Sequence, residues 1–330
     1  MEKDFIETPG MQKSDESDDS LTVIRIENEF LRLSVLPAFG GKIQELINKE
    51  TGTRFLYESP VDPETIALPS YGDQFEPPYS FGFDECFPNI TQENYKLNGH
   101  SVELPDHGEI WSRECEVRVS DNELILISTG VEINYRFEKR ISLSANRVII
   151  TYTLVNTEKL PFQYIWSTHP LLAIDEGDLI LLPGKNRELL VNWSSDDHLG
   201  KEGSKISWPL TDQTGNRDLS IVKGKNSKVA AKLFADSAGG RAGIYRSLHD
   251  ETLVFHFDPK SIPFIGLWLC YGGWPDNEDG GDYTVAIEPA TAEFDSLNRA
   301  QKNGQAMEIA PGESKSWNLE MRIENGKSKV

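Results

Sequence analysis

Residues 115–156 read CEVRVSDNELILISTGVEINYRFEKRISLSANRVIITYTLVN, and their pattern sets the fold class. Four stretches rich in Val, Ile, Leu, Tyr and Phe (CEVRVSD, ELILISTG, NYRFEKRISLS and RVIITYTLVN) are separated by short polar clusters such as SDN and SAN. β-Branched and aromatic side chains suit a pleated, half-buried surface. Short Ser/Asp/Asn turns join such segments as an antiparallel meander requires.

The same reading extends in both directions. LTVIRIEN and FLRLSVLPAF come first, and in the latter Leu31, Leu33 and Val35 alternate with Arg32 and Ser34. Period-two alternation is the mark of a strand with one face buried. Gly40-Gly41 then breaks the chain, and KIQELIN runs on to a KETG turn. Downstream, FQYIWSTH, DLILLP, KVAAKLFA, ETLVFHFD, FIGLWLCY, YTVAIEP and KSWNLEMRIE continue the series. Helical periodicity is nearly absent; the best candidate is Glu293–Gly304, EFDSLNRAQKNG, with a glycine stop. The pattern predicts an all-β fold, a large antiparallel β-sandwich. Residues 1–20, acidic and polar, are expected to form a disordered tail. Residues 21–325 then form one domain, with long loops rich in Pro, Gly and acid at 58–83 and 271–283. Loops of that length in a compact β domain are often functional.

The chain has 330 residues and a formal net charge of −20. That field repels phosphate backbones and anionic lipid, which disfavours nucleic acid and membrane as partners. No apolar run approaches the roughly 18 residues of a membrane span. The first 20 residues lack the apolar centre of a signal peptide. Cys86, Cys115 and Cys270 are widely spaced, with no CxxC or Cys/His spacing that suggests zinc. A reduced, cytoplasmic setting is expected, and no feature specifies an oligomeric state.

Four stretches could carry chemistry. GFDECFPNI sets Asp84, Glu85 and Asn89 among aromatics, and PDHGEIWSR carries His107, Trp111 and Arg113. In YIWSTHP and YTVAIEPAT, His169 and Glu288 each precede a proline. Proline cannot donate to a ladder and bars the residue before it from helix. Each apolar strand is therefore expected to end at its titratable side chain and turn away at Pro170 or Pro289. Such a rim would hold an acid and a base at fixed spacing. Plainer readings stand beside these: a strand-end histidine often only caps, a glutamate before proline is commonly solvated, and Arg113 alone is an ordinary surface charge. His100, His198, His249 and His256 are assigned no role, with His256 placed on a strand face between Phe255 and Phe257. Trp111, Trp166, Trp268 and Trp274 offer faces that suit the C–H faces of sugar rings, although Trp166 and Trp268 lie in apolar strands and fit a core equally well.

In order and spacing, GGKIQELINKETG, GFDECFPN, PDHGEIWSR, THPLLAIDEGDLILLP and LWLCYGGWP…YTVAIEPATAEFDSL resemble the aldose 1-epimerase (galactose mutarotase-like) family over residues 21–325. The resemblance implies a large antiparallel β-supersandwich with a sugar site in an open cleft. It implies anomer exchange with Glu288 as base, His169 as acid and His107 at the ring oxygen, and with no metal or organic cofactor. Arg113, Asp84, Glu85, Asn89, Trp111, Trp268 and Trp274 are the candidate sugar-binding residues. The sequence departs from the galactose-type pattern: the early NR element is missing and GFDECFPN stands in its region. The sugar-binding aspartate of that branch has no clear match, with Asp84 or Asp258 as substitutes. No arginine cluster marks a phosphate pocket. An epimerase of an anionic sugar and a non-catalytic carbohydrate-binding module are the alternatives.

Overall fold

The computed structural model of the chain describes residues 11–13 (backbone only), 21–59, 61, 65–120, 122–184, 187–196, 199–209, 218–237, 239–276 and 281–330. Among these residues an eleven-stranded sheet and an eight-stranded sheet dominate. The smaller one contains the four strands between residues 116 and 156. Tyr135–Ser144 and Arg147–Asn156 pair antiparallel from Ser144↔Arg147 to Tyr135↔Asn156. The two-residue turn between them puts Ala145 at φ 52°. Alternate side chains of Arg147–Asn156, namely Val148, Ile150, Tyr152 and Leu154, are buried. Each such side chain contributes about 1.5–3 kcal/mol by leaving water, which fixes the register because a one-residue slip would expose the whole set.

The larger sheet positions the site. Its central strands, in spatial order, are Lys42–Asn48, Phe83–Cys86, Ser167–Leu172, Tyr283–Ala290, Phe264–Tyr271, Val229–Asp236 and Arg187–Ser194. One face packs into the main core through Ala231, Leu233, Ala235, Ile265, Leu267, Leu269, Val285 and Ile287. The alternate residues, including Lys232, Trp268, Ala286 and Glu288, face the other way. Part of this second face lies under the 65–83 loop, where Phe75 packs with Trp111, Leu171 and Ala286.

Several expectations change. Neither proline ends its strand: Ser167–Leu172 runs through Pro170, and Tyr283–Ala290 through Pro289. The ladder between these strands has pairs at Ser167↔Ala290 and at Leu171↔Ala286, Leu172↔Val285, with none between 167 and 171. Both prolines fall in that gap, where a missing N–H costs no bond. The Glu293–Gly304 segment is helical only over Leu297–Lys302, with the Ser296 hydroxyl capping the Arg299 N–H. Met11–Lys13, in the segment expected to be disordered, pairs with Ile24–Ile26 as an edge strand; the rest of residues 1–20 lies outside the described residues, as does His198. The strand Arg187–Ser194 was not expected from the sequence, and its register shifts between Val191 and Trp193. That bulge breaks the period-two signal. His100 begins an exposed hairpin strand, His249 is in an exposed turn, and His256 is half-buried opposite Glu320. No helix among the described residues is long and apolar enough to cross a membrane.

Candidate active site

Strand register builds the centre of the site. The pairs Ser167↔Ala290 and Leu171↔Ala286 put His169 opposite Glu288, inside the gap the prolines leave. Their side chains meet there, with His169 Nδ1 3.0 Å from Glu288 Oε1. On the far side of Glu288, the opposed residue is Gly266. A Cβ at Gly266 would sit 2.9 Å from Glu288 Oε2 and 3.2 Å from its Cβ. The missing side chain lets Lys232, one strand further, reach across and donate to Glu288 Oε2. Lys232 also lies 3.7 Å from Asp295 Oδ1, and Asn192 Nδ2 donates to Asp295 Oδ2 at 2.8 Å.

The electrostatics follow from this packing. Burial works to raise the Glu288 carboxyl, but Lys232 and then His169 outweigh it and hold the pKa down at about 2. Burial pushes His169 down to about 4, against the pull of Glu288. Burial opposes the Lys232 charge too, yet Asp295 and Glu288 raise its pKa. Burial is also the main reason the Asp295 carboxyl is raised, with Lys232 opposing. Near neutral pH the centre is thus a carboxylate, an ammonium and a neutral imidazole. A neutral ring that faces a carboxylate through Nδ1 carries its proton there, which leaves Nε2 as an acceptor.

His107 comes from a loop whose backbone is tightly constrained. It takes φ 57° and is followed by Gly108 at φ 81°. A Cβ on Gly108 would lie 2.2 Å from the Phe87 carbonyl oxygen, so only glycine fits where the loop crosses Phe87. The His107 N–H donates to Ile90 O at 2.6 Å, and the Trp111 indole N–H donates to Asp106 O at 2.9 Å. The imidazole stacks on Phe75 at 4.4 Å and 21°. Its centroid is 5.2 Å from that of His169. Nδ1 of His107 is 3.1 Å from Asp106 Oδ1, close enough for an ion pair when the ring is protonated but misaligned for a hydrogen bond. Burial raises the Asp106 carboxyl, but His107, the Phe75 N–H and His169 together hold it below its usual range.

These groups open into a cleft of about 560 Å³ that His107, His169 and Lys232 line together with Trp193, Trp268 and Trp274. Trp193 stacks on Trp268 at 5.9 Å and meets Trp274 edge to face at 6.0 Å. Asp106, Asp282, Asp295 and Glu202 add acid to the lining, and Arg299, paired with Glu202, adds a cation. Among the described residues no group of three or more His, Cys, Asp or Glu could hold a metal ion.

The fold is that of the galactose mutarotase-like proteins. A galactose mutarotase-like protein from Clostridium acetobutylicum superposes with a TM-score of 0.69 at 15% identity, covering 96% of this chain and 100% of that one. A galactose mutarotase related enzyme from Lactobacillus acidophilus gives 0.65 at 15% identity, with 93% and 99% covered. A galactose mutarotase-like protein from Lactobacillus casei gives 0.61 at 15%, with 92% and 100% covered. At such identities the likeness carries the fold alone. A family model described as a domain of unknown function (DUF5107) matches residues 10–68. No curated protein matches the chain.

The cleft gathers some of the residues singled out from sequence and leaves others elsewhere. His107, His169, Trp268 and Trp274 line it, and Glu288 lies directly behind His169. Asp84 and Glu85 do not reach it. Asp84 pairs with buried Lys42 on the His169 side of the sheet, and burial outweighs Lys42 to push its carboxyl up to about 6. Glu85 points into the core, where Lys139 lies 2.7 Å and the Tyr152 hydroxyl 2.9 Å away. Asn89 is fully buried and donates to Thr91 O and Pro105 O, closing the loop before His107. Arg113 donates outward to Thr129 O. Trp111 is buried behind Phe75, edge to face at 5.2 Å. Asp258 hydrogen-bonds within its own turn, to Lys260, and does not line the cleft. Lys232, Trp193 and Asp295 were not anticipated. The signal for Lys232 was a lone charge inside the apolar run VAAKLFA, which demands a buried partner.

Proposed function

We propose that the chain is an aldose 1-epimerase that interconverts the anomers of a neutral sugar bound in this cleft. The observation that carries the reading is the pair of imidazoles, 5.2 Å apart, from distant segments, one of them held by a buried carboxylate. Anomer exchange needs O1 to lose a proton while O5 gains one. His169, neutral at pH 7 and free at Nε2, takes the O1 proton. Glu288 stabilises the imidazolium that forms. His107, beside the Asp106 carboxylate, delivers a proton to O5 as the C1–O5 bond breaks. The open aldehyde turns about C1–C2, and closure on either face returns both protons. Each positioned proton-transfer group contributes about 10²–10⁴ in rate.

This assignment departs from the one the resemblance implied, with Glu288 as base and His169 as acid. Both Glu288 oxygens are engaged, and a carboxyl held at about 2 is a poor base. A site for a phosphorylated sugar is the less supported reading, since Lys232 and Arg299 are already bound to carboxylates. The three cysteines are free and buried, which suits a reducing compartment.

The test is polarimetry or anomeric proton NMR on freshly dissolved α-aldoses, with neutral hexoses, pentoses and hexose 6-phosphates side by side. Acceleration with a neutral sugar, lost in His169→Gln, is the expected result. No acceleration with any neutral sugar would overturn it, and activity confined to the phosphates would move the substrate to the anionic class.

A further inference from the structure

The cleft is larger than one pyranose ring fills, at about 560 Å³, and its aromatic wall runs past the reacting centre. Register places that wall. Leu171 is opposite Ala286, Ala286 opposite Trp268, and Trp268 opposite Lys232. This row lies two residues along from the His169–Glu288 row, so Trp268 borders the first sugar position. Trp193 stacks on Trp268, and Trp274 closes on Trp193 at 74°. The outer pair keeps much of its surface in solvent, with Trp193 39% and Trp274 43% exposed. Indoles left bare at the mouth of a cleft cost solvation unless something covers them. Two rings in edge-to-face contact form a rigid corner, which loses little conformational freedom on binding.

We propose that Trp193 and Trp274 form a second subsite that holds the non-reducing ring of a disaccharide whose reducing-end ring sits between His107 and His169. The inference rests on the sugar reading of the site and deepens it: the preferred substrate is a reducing disaccharide. The chemistry of the subsite matches a pyranose. The indoles supply apolar faces for ring C–H groups. Polar groups flank them, with Glu202 and Arg299 paired at the lining and Asn192 preceding Trp193 in its strand. Reducing-end anomerisation leaves the glycosidic bond untouched, so a second ring takes no part in the proton transfers.

The experiment compares cellobiose, lactose and maltose with glucose and galactose by anomeric NMR, in the wild type and in Trp274→Ala and Trp193→Ala. The expected result is a higher kcat/KM for at least one disaccharide than for its reducing-end monosaccharide. The ratio of the two should fall about tenfold in Trp274→Ala, in line with the loss of one aromatic stacking contact. Where sugars are anomerised, an unchanged ratio in both variants, or no preference in the wild type, overturns the subsite. Binding is read separately by quenching of tryptophan fluorescence in His169→Gln, where no turnover intrudes. Tighter quenching by a disaccharide that Trp274→Ala weakens supports the subsite even if no sugar is anomerised, an outcome that would sink the epimerase reading alone. Equal quenching by mono- and disaccharides sinks the subsite alone.

Discussion

Glu85 and Glu288 are both buried glutamates on the same sheet, each tied to a buried lysine and to one further ring-bearing donor. Glu85 has Lys139 at 2.7 Å and the Tyr152 hydroxyl at 2.9 Å, on the face that packs against the second sheet. Glu288 has Lys232 and, at 3.0 Å, His169 Nδ1, on the face that carries the cleft. The difference lies in the third partner. A phenol spends its one polar atom on Glu85, and the cluster is closed. An imidazole spends one nitrogen on Glu288 and keeps a second for the cleft. A buried ion pair by itself is weak evidence of either stability or function; what separates the two is whether a partner has an unspent polar atom beside open space.

That contrast can be broken by substitution, and the largest effect falls on the cleft side. Glu288→Gln removes the charge that supports the His169 imidazolium, and anomerisation measured by polarimetry should fall by about 10² or more. Lys232 keeps Asp295 as a neighbour at 3.7 Å, so the variant should remain folded by circular dichroism. An active Glu288→Gln would return Glu288 to the standing of Glu85. On the core side, Glu85→Gln takes from buried Lys139 the carboxylate it is paired with. Urea unfolding should report a loss of about 3–5 kcal/mol, while the rate per folded molecule stays near wild type.

Lys232 lowers the pKa of His169 and of Glu288, so Lys232→Met should raise both. In the proposed mechanism protonating His169 stops the reaction, so the acid limb of kcat/KM, expected near pH 4 in the wild type, should move to higher pH. A limb that stays in place would show that Lys232 does not tune His169. The same shift has a sign for stability. The folded pKa of His169, about 4, lies below the ordinary histidine value of 6.5. The unfolded chain therefore binds more protons between those values, and stability is lost as pH falls from about 6.5 to 4. Glu288, depressed to about 2 from 4.5, extends the loss as pH falls through that lower window. The smallest effect belongs to Tyr152→Phe, which removes one hydrogen bond from Glu85 while Lys139 remains. About 1 kcal/mol is expected from thermal unfolding, with no change in activity.

Much of the fold was legible because burial on one face writes a period of two into the sequence. RVIITYTLVN, which alternates, corresponds to Arg147–Asn156 residue for residue. Arg187–Ser194 was missed because its bulge at Val191/Trp193 shifts the alternation, and Asn192 and Trp193 went with it. The prolines at 170 and 289 looked like strand stops because sequence cannot show a gap in a ladder. Within the site, His107, His169 and Glu288 stood out through the short motifs HG, HP and EP. Asp84 and Glu85 looked the same on paper. What separates them is Lys42 and Lys139, partners far along the chain that no local pattern reveals.

Alternation in the larger sheet also makes the site a matter of parity. Thr168 and His169 are neighbours in one strand, paired with Glu85 and Asp84, and they face opposite layers of the protein. If that strand docked one position out of step, a threonine would stand at the cleft and an imidazole would enter the sandwich beside Lys139. The chain would keep every residue named above and nearly all of its backbone pairing, yet the cleft would have lost the imidazole on which the proposed proton transfer depends. Accurate alignment of six residues against their neighbours is therefore as much a condition of the proposed chemistry as the histidine itself.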